Sequence, residues 1–314
     1  MGTLSPIVTA CVSTLVPLGL AGAYFLSELG YVAMFTPRLP EAPGPTKGLA
    51  DESKGSEGSK GKALRMVCIG DSVAAGCGLT SNEEACAGTF ARHLSKHSGR
   101  PVSWRVIGRN GYEAARIEKN HVKRIPGNPD VVVLSVGVNN LLAMQSDAVF
   151  KEELRSLLSA IRAKVGEHSA IILLGMPPMS MFVALTPLLK RLAGAKAKAF
   201  NGVMAKVCSA LPGTVIHVDY TGPGINDLVR REMGTVPSSL SSLKSFFAPD
   251  GFHPGPLALD FMATLLFETY EIKCRELEGE VDSLESPGEE AGHLEPGRIL
   301  QNVSFVRKSG NPAA

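Results

Sequence analysis

Five short apolar runs alternate with longer amphipathic stretches through the middle of the chain. The runs are Leu64–Ile69, Val102–Ile107, Val131–Val136, Ala170–Leu174 and Thr214–Val218. The amphipathic stretches lie near 84–97, 113–124, 148–166 and 190–210, and a last helix is expected at 256–273. Short strands that alternate with helices form parallel sheets covered on both faces. The pattern therefore predicts an α/β fold: a three-layer α/β/α sandwich around a five-stranded parallel sheet.

The two ends of the chain differ from this middle part. Residues 7–26 contain no charged side chain, and about 20 such residues can cross a bilayer as one helix. A cleaved signal peptide or a buried helix packed on the domain would also fit. We expect a membrane-associated, single-pass protein with a hydrophobic anchor or signal segment at 1–37; the side of the membrane stays open.

Composition sets the remaining boundaries. Residues 38–63 are rich in Pro, Gly, Ser and Lys, which is typical of a flexible linker. Residues 274–314 are acidic and then rich in Gly and Pro, and we expect a disordered tail. The folded domain is therefore expected at 64–273.

Charge and cysteine content exclude several functions. The net charge is +2, so no field suited to nucleic acid is expected. The six cysteines form no CxxC pair, and His93 and His97, one helical turn apart, have no HExxH motif around them. We therefore expect no metal and no nucleic-acid partner.

The first candidate for catalysis is Ser72, in the Gly70-Asp71-Ser72 motif that directly follows the first run. A serine where a strand turns into a helix exposes its hydroxyl and turns its own N–H toward the same space. Ala74 replaces the last glycine of a G-x-S-x-G motif, which argues against the α/β-hydrolase type of nucleophile. Taken alone, the tripeptide is explained equally well by an ordinary turn.

Asp250 and His253 are three residues apart in a loop that precedes the last helix. Such a histidine can take the proton from a serine and return it to a leaving alkoxide, while the aspartate holds the imidazole tautomer. A helix-capping aspartate and a surface histidine are the alternative interpretation of this motif.

Acyl transfer also needs hydrogen-bond donors for a developing oxyanion. Gly111 follows the second run and can offer a backbone N–H, and Asn139 follows the third and can offer its side-chain amide. A turn glycine and a helix-capping asparagine are the alternatives.

Serine, glycine, asparagine and histidine in this order resemble the SGNH (GDSL-type) hydrolase family, over about residues 64–272. The segments Leu134–Asn139, Gly175–Met179 and Asp250–Pro254 look like a bacterial-type branch of it. The resemblance implies a flavodoxin-like SGNH hydrolase fold. It also implies an enzyme that needs no cofactor.

The resemblance also implies a role for each motif residue. Ser72 would be the nucleophile, Asp250 and His253 would complete the triad, and the Ser72 N–H, Gly111 and Asn139 would form the oxyanion hole. Gly108 is the second choice for the glycine.

One departure concerns the residue after Asn139. The family pattern is Gly-x-Asn-Asp, whereas this chain has Asn140 in place of the aspartate. We expect a local rearrangement rather than loss of activity, although the substitution leaves room for an inactive relative.

Three apolar residues after the fourth run, Met176, Met179 and Phe182, are candidates for substrate binding, because flexible apolar side chains suit an acyl chain. Ordinary core packing would explain them equally well.

The function expected is a serine esterase that hydrolyses carboxylic esters through an acyl-enzyme, with lipid esters favoured by the apolar segment. The alternatives are a carbohydrate O-acetyl esterase or acyltransferase, and an inactive membrane-tethered binding protein.

Overall fold

A computed structural model describes most of the expected domain and part of the segment before it. The described residues are 23–24, 27–28, 30–32, 34–52, 62–221, 229–230, 233–234 and 243–267.

Within these residues the sheet has six strands. They are β1 Lys47–Ala50, β2 Leu64–Gly70, β3 Val102–Gly108, β4 Val131–Ser135, β5 Ala170–Leu174 and β6 Val215–Val218. Their order across the sheet is β1-β3-β2-β4-β5-β6, and only β1 runs antiparallel to its neighbour. The order reverses at β2, which lies between β3 and β4. In open parallel sheets such a reversal opens a crevice at the carboxyl ends of the strands, where ligands bind.

The helices cover both faces of the sheet, as the sequence predicts. They are α1 Cys86–Ser98, α2 Ala114–His121, α3 Val138–Leu142, α4 Asp147–Val165, α5 Pro187–Ser209 and α6 256–267. Short 3₁₀ turns lie at Val122–Arg124 and Met179–Met181. The predicted helices agree with these bounds to within a few residues, except for the five-residue α3, which the periodicity does not indicate. The end of the last predicted helix, 268–273, lies outside the described residues.

Alternation along the strands divides the core in two. On β2, Met66 and Cys68 belong to the core that α1 and α6 cover, whereas Val67 and Ile69 belong to the core under α2, α4 and α5. Successive side chains of a strand point to opposite faces. The three-layer α/β/α sandwich is thereby confirmed.

The prediction of five strands is wrong by one, because β1 lies at the edge of the sheet, inside the segment 38–63 that resembles a linker in sequence. It pairs with β3, and Gly48 lies opposite Trp104. A Cβ on Gly48 would come within 2.3 Å of the Trp104 ring, so the missing side chain makes room for the indole. This long-range fit, rather than any local strand propensity, places β1, and it covers the edge of β3.

The predicted terminal segments fall mostly outside the described residues. Of residues 7–26, which the sequence predicts to cross a membrane, only Ala23 and Tyr24 are described. No helix in the described part of the chain is long and apolar enough to cross a bilayer. The predicted tail at 274–314 lies outside the described residues altogether.

Candidate active site

Ser72 lies two residues beyond the end of β2, at the crevice where the sheet order reverses. The chain then makes consecutive turns over residues 71–78, and the first helix of the domain, α1, begins only at Cys86. These turns separate Ser72 from α1, whose start agrees with the predicted stretch at 84–97. They are held by two backbone bonds of 3.0 Å, from Ala75 N–H to the Asp71 carbonyl and from Cys77 N–H to the Ser72 carbonyl. Ser72 is 8% exposed.

The neighbouring Asp71 fixes this loop to the end of β4. Its Oδ1 accepts hydrogen bonds from the Ser135 hydroxyl at 2.7 Å and from Val73 N–H at 3.1 Å, and the side chain is buried. Burial raises the pKa of Asp71, and the bonds from Ser135 and Val73 oppose that rise. The sequence does not indicate Ser135 as a site residue, because a serine within an apolar run carries no signal of its partner.

Asp250 and His253 form a tight pair in one loop. Asp250 Oδ2 lies 2.6 Å from His253 Nδ1, while Oδ1 accepts the backbone N–H groups of Phe252 and His253 at 2.9 and 3.0 Å. Burial alone would raise the pKa of Asp250, but the bonds from His253 and from the Phe252 backbone bring it below its ordinary value. An ionised carboxylate is thus held against Nδ1, so Nε2 is the nitrogen left for proton transfer.

The loop that carries this pair is pinned at its base. Phe247 and Pro254 form an antiparallel bridge, and Ala248 N–H donates to the His253 carbonyl at 2.8 Å. Ser72 and His253 line the same cleft, and the charge of His253 influences the pKa of Asp71 beside Ser72. The structure therefore brings the three predicted residues Ser72, Asp250 and His253 to one place.

The two candidate glycines have different surroundings. A Cβ on Gly108 would lie 2.4 Å from the backbone nitrogen of Ala75, so this glycine allows β3 to approach the Ser72 loop. A Cβ on Gly111 would meet nothing within 4 Å, and its φ is +78°. Gly111 therefore leaves open space where a substrate could approach its backbone, whereas Gly108 serves packing.

Asn139 lies in α3, at the carboxyl end of β4, and is half-buried. Its Nδ2 donates to the carbonyl of Tyr112 at 3.1 Å, which connects it to the residue after Gly111. An amide nitrogen carries two hydrogens, so one remains for a further acceptor. The side chain of Asn139 on α3 thus lies beside the loop that carries Gly111, and neither residue belongs to the lining of the cleft that contains Ser72.

This cleft is apolar and extends from Ser72 toward α6. It encloses about 1090 Å³ of space outside the protein atoms, part of it open to solvent. Among the described residues that line it, the only acidic or basic side chains are Asp71 and His253. Aromatic side chains form much of the wall: Phe182, Phe246, Phe247, Phe252, Phe261 and Tyr220.

The candidates for substrate binding separate into two groups. Phe182 lines the cleft, with its ring centroid 5.3 Å from that of Phe247 and 5.0 Å from that of Phe252. Met176 and Met179 are buried in the core under α4 and α5 and do not line the cleft. The proposed substrate site below therefore includes Phe182 and not these two methionines.

Residues 39–46, which we call the N-terminal strap, pack against the site although they resemble a linker in sequence. The carbonyl of Pro40 accepts from Gly78 N–H at 2.9 Å, and Ala42 N–H donates to the Ala75 carbonyl at 3.0 Å. Glu41 Oε1 accepts the backbone N–H of Asn110 at 2.8 Å, directly before Gly111. Sequence spacing carries no signal of such a contact.

No group of three or more His, Cys, Asp or Glu side chains in the described part of the chain could hold a metal ion. His93 instead contacts Asp260 of α6 at 2.7 Å. The four described cysteines, Cys68, Cys77, Cys86 and Cys208, are free and buried.

Three comparisons with known proteins bear on this arrangement. A family model described as the GDSL-like Lipase/Acylhydrolase family matches residues 68–258, more than half of the chain. A search of curated proteins gives no significant match. The bacterial-type branch stays a prediction.

Solved structures of similar shape include the lipase Lip_vut3 from a goat rumen metagenome, with 18% identity and a TM-score of 0.48 over 66% of this chain and 97% of that one. TesA gives 18% identity and a TM-score of 0.45, with the same coverage. Phospholipase A1 from Streptomyces albidoflavus NA297 has 15% identity and a TM-score of 0.47, over 66% of this chain and 100% of that one.

The extent of the family match decides the assignment, and the motifs at the crevice agree with it. The chain belongs to the GDSL-like lipase/acylhydrolase family and is a hydrolase of ester bonds.

Proposed function

We propose that this hydrolase is a serine esterase in which Ser72 attacks the ester carbonyl and His253 and Asp250 complete the catalytic triad. The observation that carries the proposal is that Ser72 and His253 line one apolar cleft while Asp250 holds His253 at 2.6 Å. A nucleophile, a base and an orienting carboxylate are the three parts that acyl transfer to serine requires.

The proposed reaction has two halves. Ser72 Oγ forms a bond to the carbonyl carbon as its proton passes to Nε2 of His253, and the imidazolium returns that proton to the departing alkoxide. Water then attacks the acyl-enzyme with His253 again as base, and Ser72 recovers its proton. The Asp250 carboxylate stays ionised throughout and stabilises the imidazolium.

Three donors are proposed for the oxyanion of each tetrahedral intermediate. They are the N–H of Ser72, the N–H of Gly111 and the second amide hydrogen of Asn139. The open space at Gly111 and the bond from Asn139 to Tyr112 support this arrangement. Removing one such donor costs about 10²–10³ in rate in other hydrolases.

The apolar wall of the cleft supports substrates with a medium or long acyl chain, as in lipid esters. The aromatic and aliphatic wall, which runs from Ser72 to α6, offers contacts to the methylenes of an acyl chain that an acetyl group is too short to use. Each methylene that leaves water contributes about 0.8 kcal/mol to binding. The cleft therefore disfavours the alternative of a carbohydrate O-acetyl esterase.

Hydrolysis of p-nitrophenyl acetate and p-nitrophenyl octanoate tests this proposal. We expect kcat/KM to be higher for the octanoate by about tenfold or more, because part of the chain is buried. In Ala258→Trp, which fills the cleft from α6, the octanoate value should fall by about tenfold or more and the acetate value far less. Ala195→Trp, at an exposed position of α5, is the matched control and should change neither.

Two results would count against the proposal. A preference for acetate, or an equal loss on both esters in Ala258→Trp, would argue against an acyl site in this cleft. Esterase activity that persists in both Ser72→Ala and His253→Ala would contradict the proposed catalytic triad.

We also propose that residues 1–37 hold the enzyme at a membrane, near its lipid substrate. Support comes from the uncharged run 7–26 and from three apolar side chains that are exposed just after it, Tyr31, Met34 and Phe35. Sedimentation with phosphatidylcholine vesicles should retain the full chain and release a variant that begins at Arg38. That variant keeps the N-terminal strap, so its esterase activity on soluble esters should persist. Equal sedimentation of the two proteins would contradict the membrane role.

A further inference from the structure

Asn140, the residue that departs from the family pattern, is fully buried between two loops of the site. Its Oδ1 accepts the backbone N–H of Ala114, the first residue of α2, at 3.2 Å. Its Nδ2 donates to Gln145 Oε1 at 2.8 Å and to Glu153 Oε2 at 3.0 Å. The amide oxygen therefore acts as an acceptor and the amide nitrogen as a donor, so both polar atoms of the side chain are hydrogen-bonded.

Glu153, on α4, closes this arrangement into a three-residue cluster. Gln145 Nε2 lies 3.3 and 3.4 Å from the two carboxylate oxygens of Glu153. The carboxylate thus accepts bonds from two side-chain amides in a half-buried position. These amide donors satisfy the carboxylate where it is partly removed from water.

An aspartate at position 140 would not fit this environment. It could still accept from Ala114, but its second oxygen would face Glu153 Oε2 and Gln145 Oε1, where the structure has an N–H donor. Two carboxylates in contact repel, and two acceptors without a proton between them leave both unsatisfied. The asparagine is therefore matched to the glutamate on α4.

The cluster lies directly behind the proposed oxyanion donors. Ala114 is three residues after Gly111, and Asn139 is adjacent to Asn140. Because Asn139 also bonds to the Tyr112 carbonyl, two consecutive asparagines tie the 111–114 segment to α3. A displacement at position 140 would move the Gly111 N–H and the Asn139 amide relative to each other.

We propose that Asn140 and Glu153 form a positioning pair that sets the geometry of the oxyanion hole, with Asn140 replacing an aspartate because Glu153 supplies the negative charge. The inference rests on the proposed function. Neither side chain touches substrate; both act through the Gly111 loop and Asn139.

Four variants test the pair: Asn140→Asp, Glu153→Gln, the double variant, and Asn140→Asp with Glu152→Gln. Glu152 is the adjacent residue of α4 and pairs with Arg155 at the surface, so its substitution is a matched control. The readout is kcat for p-nitrophenyl butyrate per active site, with sites counted by titration with a fluorophosphonate. A purely structural role would lower the number of active sites and leave kcat per site unchanged.

We expect Asn140→Asp to lower kcat per site by about tenfold to a hundredfold with little change in KM, because the oxyanion donors act in the transition state. In the double variant, the glutamine amide that replaces the Glu153 carboxylate can donate to the new aspartate, and kcat per site should return to within about threefold of wild type. The Glu152 control should not restore it. Should Asn140→Asp fail to fold, a folded and active double variant beside an unfolded Glu152 control supports the same coupling.

The inference is overturned if Asn140→Asp keeps the wild-type kcat per site, or if both double variants behave alike. If instead the wild type neither reacts with the fluorophosphonate nor hydrolyses the ester, the proposed function itself fails and the inference falls with it.

Discussion

Nδ1 of His253 lies 2.6 Å from Oδ2 of Asp250, three residues earlier in the same loop. The other carboxylate oxygen accepts two backbone N–H groups, those of Phe252 and His253. One aspartate therefore fixes the fold of the loop and the tautomer of the imidazole together. These bonds all lie within one loop, so no distant residue is needed to bring the two side chains together. A short motif can therefore supply two members of the proposed triad.

Asp250→Asn should keep the loop but disable the base. The asparagine oxygen can still accept the backbone N–H groups, while its NH₂ would face Nδ1 and favour the wrong tautomer. We expect kcat to fall by about 10³-fold or more, with an unfolding temperature near that of wild type. Steady-state kinetics and thermal unfolding measure the two effects. A loss below about tenfold in a folded variant would contradict the role of Asp250.

The lowered pKa of Asp250 predicts a dependence of stability on pH. The folded protein holds this proton less tightly than the unfolded chain does. The carboxylate therefore stabilises the fold above the ordinary aspartate pKa of about 3.9, and that contribution is lost as the pH falls through the lowered value.

Urea unfolding of wild type and Asp250→Asn between pH 3 and pH 7 isolates this effect. The difference in the free energy of unfolding should shrink as the pH falls below about 4. Asp71, whose raised pKa acts in the opposite direction, is present in both proteins and cancels. A difference that is independent of pH would argue against an ionised Asp250 in the folded state.

Glu41 should matter for catalysis although it lies in the N-terminal strap. Its bond to Asn110 N–H holds the backbone just before Gly111. We expect Glu41→Ala to lower kcat by about threefold to tenfold with KM little changed, and Glu41→Gln to recover most of the loss, because it keeps the acceptor oxygen. Steady-state kinetics on p-nitrophenyl butyrate measure both values.

Arg109→Ala provides the comparison for Glu41. The Arg109 Nη1 atom lies 3.5 Å from Glu41 Oε2 in an exposed pair. Exposed ion pairs contribute little, so kcat should change by less than about twofold. An effect of Arg109→Ala as large as that of Glu41→Ala would show that the ion pair, and not the bond from the backbone N–H to Glu41, determines kcat.

The sequence predicts the fold well where the signal is local. Ala170–Leu174 has the same bounds in prediction and structure, because five consecutive apolar residues buried on both faces have few other solutions. β1 could not be predicted, since its place depends on Trp104 packing over Gly48, more than fifty residues away in the chain.

The same division applies to the site. The motifs predict that Ser72, Asp250 and His253 lie together, because the crevice of a parallel sheet gathers the loops that follow its strands. The contacts around the site come from elsewhere in the chain: Ser135 of β4 bonds to Asp71 beside Ser72, Glu41 of the strap to Asn110 beside Gly111, and Glu153 of α4 to Asn140. Each is a polar side chain whose partner only tertiary structure can reveal. Met176 and Met179 are close in sequence to the crevice, but their side chains are buried in the core. Closeness in sequence does not set the direction of a side chain.

Reaction of the protein with a fluorophosphonate, followed by mass spectrometry of the intact chain and of its peptides, is the direct test of Ser72 as the nucleophile. We expect one phosphonyl adduct per molecule, located on Ser72, and no adduct in Ser72→Ala or in wild type that has been unfolded in urea. An adduct on another residue, or no reaction with the folded wild type, would contradict it.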